Sequence, residues 1–453
     1  MDEPQLLPPE DFRRLKQLLD DANYVEEGLA GECPADSALG VLANLFLHGR
    51  VTPDETLRQV FRADEAELLR AAGLIREAAE AEPGWRAPLM LYPLEGLFIV
   101  SDFPGGGGPD YVFPAITPQS HEFYEMLPET RCDELLEIGT GSGAAALRAA
   151  AYAGRVTAGD ISARCIRFAE FNRRLNGIDN VEFSGSDVYS AFAGRTFDRI
   201  VAHPPYVPAA QDRDAYRHAG PLGEDVLRRI LADLAPFLRP GGRFYASAMA
   251  VEPKNQPLEA RLREMLGASS DQFDLLVAER DALTPTEFLL HWTEDGDLLF
   301  EDALALQKEF RERDVRLLIR FALITQRRLD GRTRTQRLRM GRATRSPHLE
   351  RAFVGGAAPP DDLLESRPTL EPLVRLETQA QATPEGWRPY LRVLDAAAPF
   401  AFRTDLPEWA VEALPRLDGR RTLRQALEGL EVDEQEAEDL FFCLFAGGVL
   451  RLK

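Results

Sequence analysis

Apolar residues recur at helical spacing through the first eighty positions. Phe12, Leu15, Leu18 and Leu19 fall on one face, and Leu39, Leu42, Leu45 and Phe46 on another, with Gly49 placed to end the second segment. Thr52-Pro53 has the form of a cap followed by proline at the first helical position, which predicts a third helix through Phe61. The period then changes. From Leu89 to Ser101 an apolar run is broken near Glu95-Gly96, which predicts a strand pair, and Gly105 to Gly108 make a loop. A helical N-terminal domain over residues 1–85 and a leading β-hairpin over 86–110 follow from this change.

Between about Tyr111 and Met340, short β-rich runs alternate with helical ones, as in a parallel sheet covered on both faces. Strands are expected from Glu134 to Ile138, Val156 to Ala158, Val181 to Phe183, Arg199 to Ala202 and Gly242 to Ala248. Ser162 can cap a helix that Gly177 closes. Arg316 to Arg328, the turn pair Asp330-Gly331 and Thr333 to Met340 predict a hairpin that finishes the sheet. The expected fold is α/β, a doubly wound, Rossmann-like, seven-stranded sheet with a C-terminal antiparallel hairpin, over residues 86–345. Residues 346–372, rich in Gly, Ala, Pro and Asp, are expected to be a linker.

Beyond the linker, Leu423 to Leu430 and Glu434 to Ala446 are helical and Val449 to Leu452 extended, so 373–453 form a small α+β domain. Thr56-Leu57-Arg58-Gln59 and Thr422-Leu423-Arg424-Gln425 each precede an acidic helix and an Ala-Gly break, at Gly73 and Gly448. Winged-helix-like modules at both ends are one reading of this, and chance similarity is the other.

Composition narrows the classes. With 453 residues, 45% hydrophobic and 28% charged, the chain is globular and long enough for two to four domains. A formal charge of −21 disfavours wrapping a phosphate backbone. One basic run opposes the trend, from Arg311 to Arg345; there the arginines alternate with Leu317, Ile319, Phe321 and Leu323, so a structural role is expected. Cys33, Cys132, Cys165 and Cys443 are scattered, which predicts reduced thiols and neither a zinc site nor disulfides. No cationic leader and no apolar run of about 18 residues is present, so a cytoplasmic protein without a membrane span is expected.

The chemistry concentrates in three places. Leu135-Leu136-Glu137-Ile138-Gly139-Thr140-Gly141-Ser142-Gly143 joins a strand to an alanine-rich helix, and glycines there let backbone N–H groups approach a ligand. Asp160 follows at the end of the second strand, where an acid can accept from both ribose hydroxyls. Gly139-x-Gly141-x-x-Ala144 also satisfies a nicotinamide dinucleotide pattern. Glu137 tips the balance, because an acid there suits a ligand with ammonium and sulfonium charges and repels a pyrophosphate. His203-Pro204-Pro205-Tyr206 then ends the fourth strand at the edge where ligands bind. The prolines leave carbonyls that can only accept, and the tyrosine offers a flat surface to a planar amide or base.

The glycine loop resembles the first motif of class I S-adenosylmethionine-dependent methyltransferases, E/D-x-G-x-G-x-G. That resemblance implies S-adenosylmethionine as cofactor and a methyltransferase sheet. Glu137, Gly139, Thr140, Gly141 and Gly143 would surround the cofactor, Asp160 and Ile161 would lie at the ribose, and Asp187 with Val188 beside the adenine. Thr117-Pro118-Gln119-Ser120 falls where the family has a loop touching the methyl donor; a helix cap for Ser120 to Leu127 is the other reading. His203-Pro204-Pro205-Tyr206 resembles the N/D/S-P-P-Y/F motif of amino-group methyltransferases. More narrowly it is similar to the family that methylates the glutamine amide of translation release factors, which has N-P-P-Y and a helical N-terminal domain. Tyr216, Gly220, Gly223 and Glu224 fall where that family has a glycine-bearing loop and an acid. The likeness covers roughly Tyr111 to Ala250.

His203 departs from that pattern. Asparagine gives an amide both an acceptor and a donor pair, whereas neutral imidazole has one of each on opposite sides. His203 can accept a substrate N–H, take up the proton lost on alkylation, or only pack under the prolines. The expected activity is N-methylation of an amide or amine, of a protein or peptide first. RNA or DNA exocyclic amines and small molecules are alternative acceptors, and a nicotinamide oxidoreductase and a non-catalytic scaffold are the rival classes.

Overall fold

The computed structural model describes residues 2–79, 83–108, 110–210, 216–294, 300–329, 333–341, 344–355, 363–371, 374–384, 386–396 and 400–452. Its N-terminal unit follows the helical pattern. Helix α1 (Pro9–Asp21) buries Phe12, Leu15, Leu18 and Leu19, and α2 (Ala38–Phe46), capped by the Ser37 hydroxyl, buries Leu42, Leu45 and Phe46. Helix α3 (Asp54–Val60) starts later than expected. Thr52 is not its cap, because the Thr52 backbone is held extended by two 2.8 Å hydrogen bonds exchanged with Trp85. Strands β1 (Met90–Leu94) and β2 (Leu97–Ser101) form the expected hairpin. Glu95 and Gly96 both have positive φ, as a two-residue turn matching the strand twist requires.

Two asparagines join this unit to the rest. On α4 (Ala163–Leu175), capped by Ser162, Asn172 accepts from Val100 N–H at 2.8 Å and donates to the carbonyls of Val100 and Ser142 at 3.0 and 2.9 Å. Asn176, just past the helix, does the same for both backbone groups of Phe98 at 2.8 Å. Side-chain amides thus satisfy the outer edge of β2, a use of Asn's paired donor and acceptor. Phe12 meets Phe171 on the same helix, ring centroids 5.1 Å apart.

The central sheet contains β3 (Cys132–Ile138), β4 (Ala153–Asp160), β5 (Val181–Gly185), β6 (Phe197–Ala202), β7 (Leu238–Pro253), β8 (Phe273–Leu283), β9 (Val315–Arg327) and β10 (Thr335–Arg339). Its order is β10-β8-β9-β7-β6-β3-β4-β5, eight strands instead of seven. Strands β3 to β7 are mutually parallel, while β9 runs antiparallel to both β7 and β8. Strand order reverses at β3, which has β4 on one side and β6 on the other. A crevice at the carboxyl ends of these strands is the natural ligand site.

The expected C-terminal hairpin is not formed. Both edges of β9 are taken by β7 and β8, so β10 pairs in parallel with the far edge of β8. Strand β8 was absent from the sequence reading, and the Asp330-Gly331 turn lies outside the described residues. The basic run is structural, as expected: Arg316 and Arg337 bond Glu252, Arg328 and Arg334 bond Asp274, and Arg345 bonds Glu125. Between β8 and β9 come two further helices, Pro285–Glu294 and Phe300–Glu312.

Part of the expected linker is also a packed helix. Ser346–Gly355 sends Leu349 and Phe353 into the core of the sheet, and Glu350 bonds Arg243 and the Tyr245 hydroxyl. Apolar spacing at 349 and 353 overrides the glycine-rich surroundings. The C-terminal part holds a three-stranded antiparallel sheet (Val374–Thr383, Gly386–Ala396, Phe402–Asp405) and the helices Leu423–Leu427 and Glu434–Ala446, capped by Thr422 and Asp433. Among the described residues no helix is long and apolar enough to cross a membrane.

Candidate active site

The register of the sheet decides the geometry. Ile138 on β3 pairs with Ala202 on β6, so Gly139 and His203 are the next residues on two adjacent parallel strands. The glycine loop and the proline tetrapeptide therefore leave the same rim side by side.

Gly139, Gly141 and Gly143 all adopt left-handed backbone, φ +73°, +54° and +84°. Their roles differ. A Cβ at Gly139 or Gly141 would meet nothing within 4 Å, so those positions face open space, whereas one at Gly143 would lie 2.9 Å from the Ala169 side chain. Gly143 lets α4 pack closely, and the other two leave room for a ligand. The Gly139 and Thr140 N–H groups are used within the sheet, donating to the Gly159 carbonyl at 2.8 and 3.0 Å.

Two carboxyl groups flank this turn. Asp160 ends β4; one oxygen accepts from Gly141 N–H at 2.8 Å and the other from Ser162 N–H at 2.9 Å. Burial raises its pKa, and those backbone donors work against the rise. Glu137 is buried and accepts from the Thr140 hydroxyl at 2.6 Å. Burial pushes its pKa up to about 8, and the neighbouring Asp160 charge adds to the rise. Among the described residues no cation pairs with Glu137.

Two carboxyl groups this close suit a ligand that brings positive charge. The ammonium and sulfonium of S-adenosylmethionine fit, and a pyrophosphate set beside two carboxyls does not. Each Asp160 oxygen retains a lone pair for a ribose hydroxyl. Ile161 is 70% exposed at the end of the strand, an apolar surface open to a ligand. Asp187 is exposed and takes a 2.7 Å hydrogen bond from Arg229, and Val188 is held at φ +52° with its carbonyl bonded by the Ser186 hydroxyl. Thr117 is placed as a helix cap: its hydroxyl accepts from Ser120 N–H at 3.4 Å at the start of Pro118–Met126.

Across the crevice, Pro204 is buried and Pro205 and Tyr206 are half-buried. The His203 ring lies between Phe123 and Tyr206, centroids 5.1 and 5.8 Å away and planes within 28° of each. Burial, and secondarily the Arg320 charge, lowers the imidazole to about 4, so it is neutral at ordinary pH. Gly223, φ +72°, closes against the tetrapeptide; a Cβ there would sit 2.2 Å from the Tyr206 carbonyl oxygen. Glu224 is buried and structural, accepting from Val251 N–H at 2.8 Å and from Arg261 at 2.5 Å. Gly220 takes φ +75° next to it, and Tyr216 stacks on Phe113 at 5.8 Å.

Sequence reasoning missed Phe123, Glu122, Asp281 and Arg320, which surround the tetrapeptide. Phe123 and Glu122 lie on a helix considered only for its cap. Arg320 was legible only as one arginine in an alternating strand, and Asp281 belongs to the strand that was missed.

Residues 116–274 match the family model described as the methyltransferase small domain. Strands β3 to β7, with the glycine turn and the proline tetrapeptide, lie within the matched residues. Among curated relatives, the release factor glutamine methyltransferase of Deinococcus radiodurans is 35% identical over 173 residues, 35% of this chain and 60% of that protein. Those of Koribacter versatilis and Escherichia coli are 38% and 32% identical, over 26% and 23% of this chain and 48% and 38% of theirs. The chain thus spans about half the length of the curated relatives it matches. A solved methyltransferase from Pyrococcus furiosus is 19% identical, covering 52% of this chain and 91% of that one with a TM-score of 0.33.

Proposed function

We propose that this protein transfers the methyl group of S-adenosylmethionine to a nitrogen of a protein or peptide, with a release-factor glutamine amide as the first acceptor to test. The observation that carries the reading is the pairing of Ile138 with Ala202, which sets the cation-seeking glycine turn beside the proline carbonyls. When bound, the cofactor supplies an electrophilic methyl group. The protein's work is then orientation and removal of water.

Glu137 would hold the positive end of the cofactor, Asp160 the ribose, and Ile161, Asp187 and Val188 the adenosine. The carbonyls of the tetrapeptide would accept the N–H groups of the acceptor, with Tyr206 closing one side. Of the three roles open to His203, hydrogen-bond acceptor is the one its neutral ring supports. An imidazole lowered to about 4 is a weak base near pH 7, and its stacked ring keeps a nitrogen lone pair for a substrate N–H. The tetrapeptide would hold the acceptor nitrogen while solvent takes the proton it sheds, since His203 is too weak a base to do so.

The names of the relatives favour a protein acceptor, and the ion-paired arginines of the basic run weaken the nucleic-acid alternative. The proposal also includes a cytoplasmic location, a helical N-terminal domain over 1–85 and a winged-helix-like C-terminal domain over 373–453. The Ser346–Gly355 helix is assigned to the catalytic sheet on which it packs. The test is incubation with labelled methyl donor and either purified release factor or host lysate split into protein, RNA and small-molecule fractions. Label confined to RNA or small molecules would overturn the protein reading.

A further inference from the structure

Arg320 projects from β9 at the acceptor side of the crevice, and two elements hold it there. Its Nε donates to the two carboxylate oxygens of Asp281 on β8, at 3.0 and 2.9 Å, and Nη2 bonds the same carboxylate. Nη1 reaches Glu122, on the Pro118–Met126 helix, at 3.4 Å, and Arg280 pairs with that glutamate at 3.3 Å. A planar guanidinium gripped along one edge by Asp281 and at its remaining nitrogen by Glu122 has little freedom left. Its charge bears on both the Tyr206 hydroxyl and the His203 ring.

We infer that Arg320 is a positioning residue of the acceptor site, fixing the Tyr206 ring that stacks on His203. The inference rests on the reading of His203-Pro204-Pro205-Tyr206 as the acceptor clamp. It goes beyond the family likeness, because Arg320 and Asp281 both lie outside residues 116–274. Among the described residues, Arg320, Asp281 and Glu122 bear on the clamp, Arg280 and Arg320 engage the two acids, and Arg217 and His218 lie beside Val207 just after it. Adding a proton to His203 would place a second positive charge beside Arg320. A protonated ring would also present donors only, so the N–H of the acceptor would lose its partner.

The test uses the full chain with Arg320→Met and Arg320→Lys. NMR titration of the labelled His203 ring needs no acceptor and reads the charge effect directly. His203 in the Met variant should titrate above the wild-type value of about 4, by only part of the distance to 6.5 because burial is the larger cause, and the Lys variant should stay near wild type. With the acceptor found by the labelling experiment, Arg320→Met should raise KM about tenfold with unchanged cofactor affinity. Arg320→Lys should not restore KM, since an ammonium cannot reproduce the fork. If the Met variant does not fold, Asp281→Asn, which frees the fork but keeps the charge, should give the same rise in KM. A folded Met variant with an unmoved His203 titration and wild-type KM overturns the inference. Failure of every fraction to accept label would instead overturn the proposed activity, and the titration would still decide whether Arg320 governs the ring.

Discussion

Glu137→Gln should do two opposite things, weaken the cofactor and strengthen the fold. Burial holds the carboxyl at about 8, so below pH 8 it is mostly protonated before the cofactor arrives. A cationic ligand favours the carboxylate, and binding then has to expel the proton. Each pH unit below 8 costs about 1.4 kcal/mol, a factor of about ten. The dissociation constant should therefore fall about tenfold per unit from roughly pH 5.5 to 7, where the α-amino group of the cofactor, with a pKa of about 8, stays charged. Calorimetry in two buffers of different protonation enthalpy should count about one proton released near pH 6.5. For stability the sign is the reverse of an ordinary salt-bridged acid. The folded-state value of about 8 lies above the ordinary 4.5, so stability is full below 4.5, falls as pH rises, and levels above 8. The deficit is at most roughly 5 kcal/mol, and glutamine does not suffer it. The variant should melt higher than wild type at pH 8 and lose both the pH slope and most of the affinity. Flat wild-type affinity between pH 5.5 and 7, or a glutamine variant that binds equally well, would refute the cofactor assignment.

Asp160→Ala frees the Gly141 and Ser162 N–H groups and removes the ribose acceptor. Cofactor affinity should drop by about a hundredfold or more in calorimetry, while circular dichroism is unchanged. Gly223→Ala places a Cβ 2.2 Å from the Tyr206 carbonyl at φ +72°, so turnover should fall about tenfold with cofactor binding intact; unchanged turnover would show that the clamp tolerates displacement. Because Arg316, Arg328, Arg334 and Arg337 already have acidic partners, RNA binding measured from 50 to 200 mM salt should show a shallow slope; a steep one would revive the nucleic-acid reading.

Local signals in the sequence carried far. The buried face of α1, the Glu95-Gly96 turn, the Ser162 cap and the first five strands of the sheet are set by side-chain period and turn chemistry, which act over a few residues. What was hidden depends on partners distant in the chain. Thr52 has the look of a cap, yet its backbone is claimed by Trp85. The Asp-Gly turn suggested a hairpin, but β9 had no free edge, because Phe273–Leu283 was already paired with it. At the site, the glycines, Asp160 and the prolines were legible because their chemistry depends on the backbone. Arg320 and Asp281 were not, since each acquires its meaning only when β8 and β9 lie side by side.

Asn172 links parts of the molecule that are far apart in sequence, since one amide grips both Val100 in the N-terminal hairpin and the Ser142 carbonyl inside the glycine turn. The glycine turn is thereby braced from outside the central sheet. A shortened enzyme beginning near Tyr111 would strand that amide and the one at Asn176, and slacken the turn it was meant to preserve.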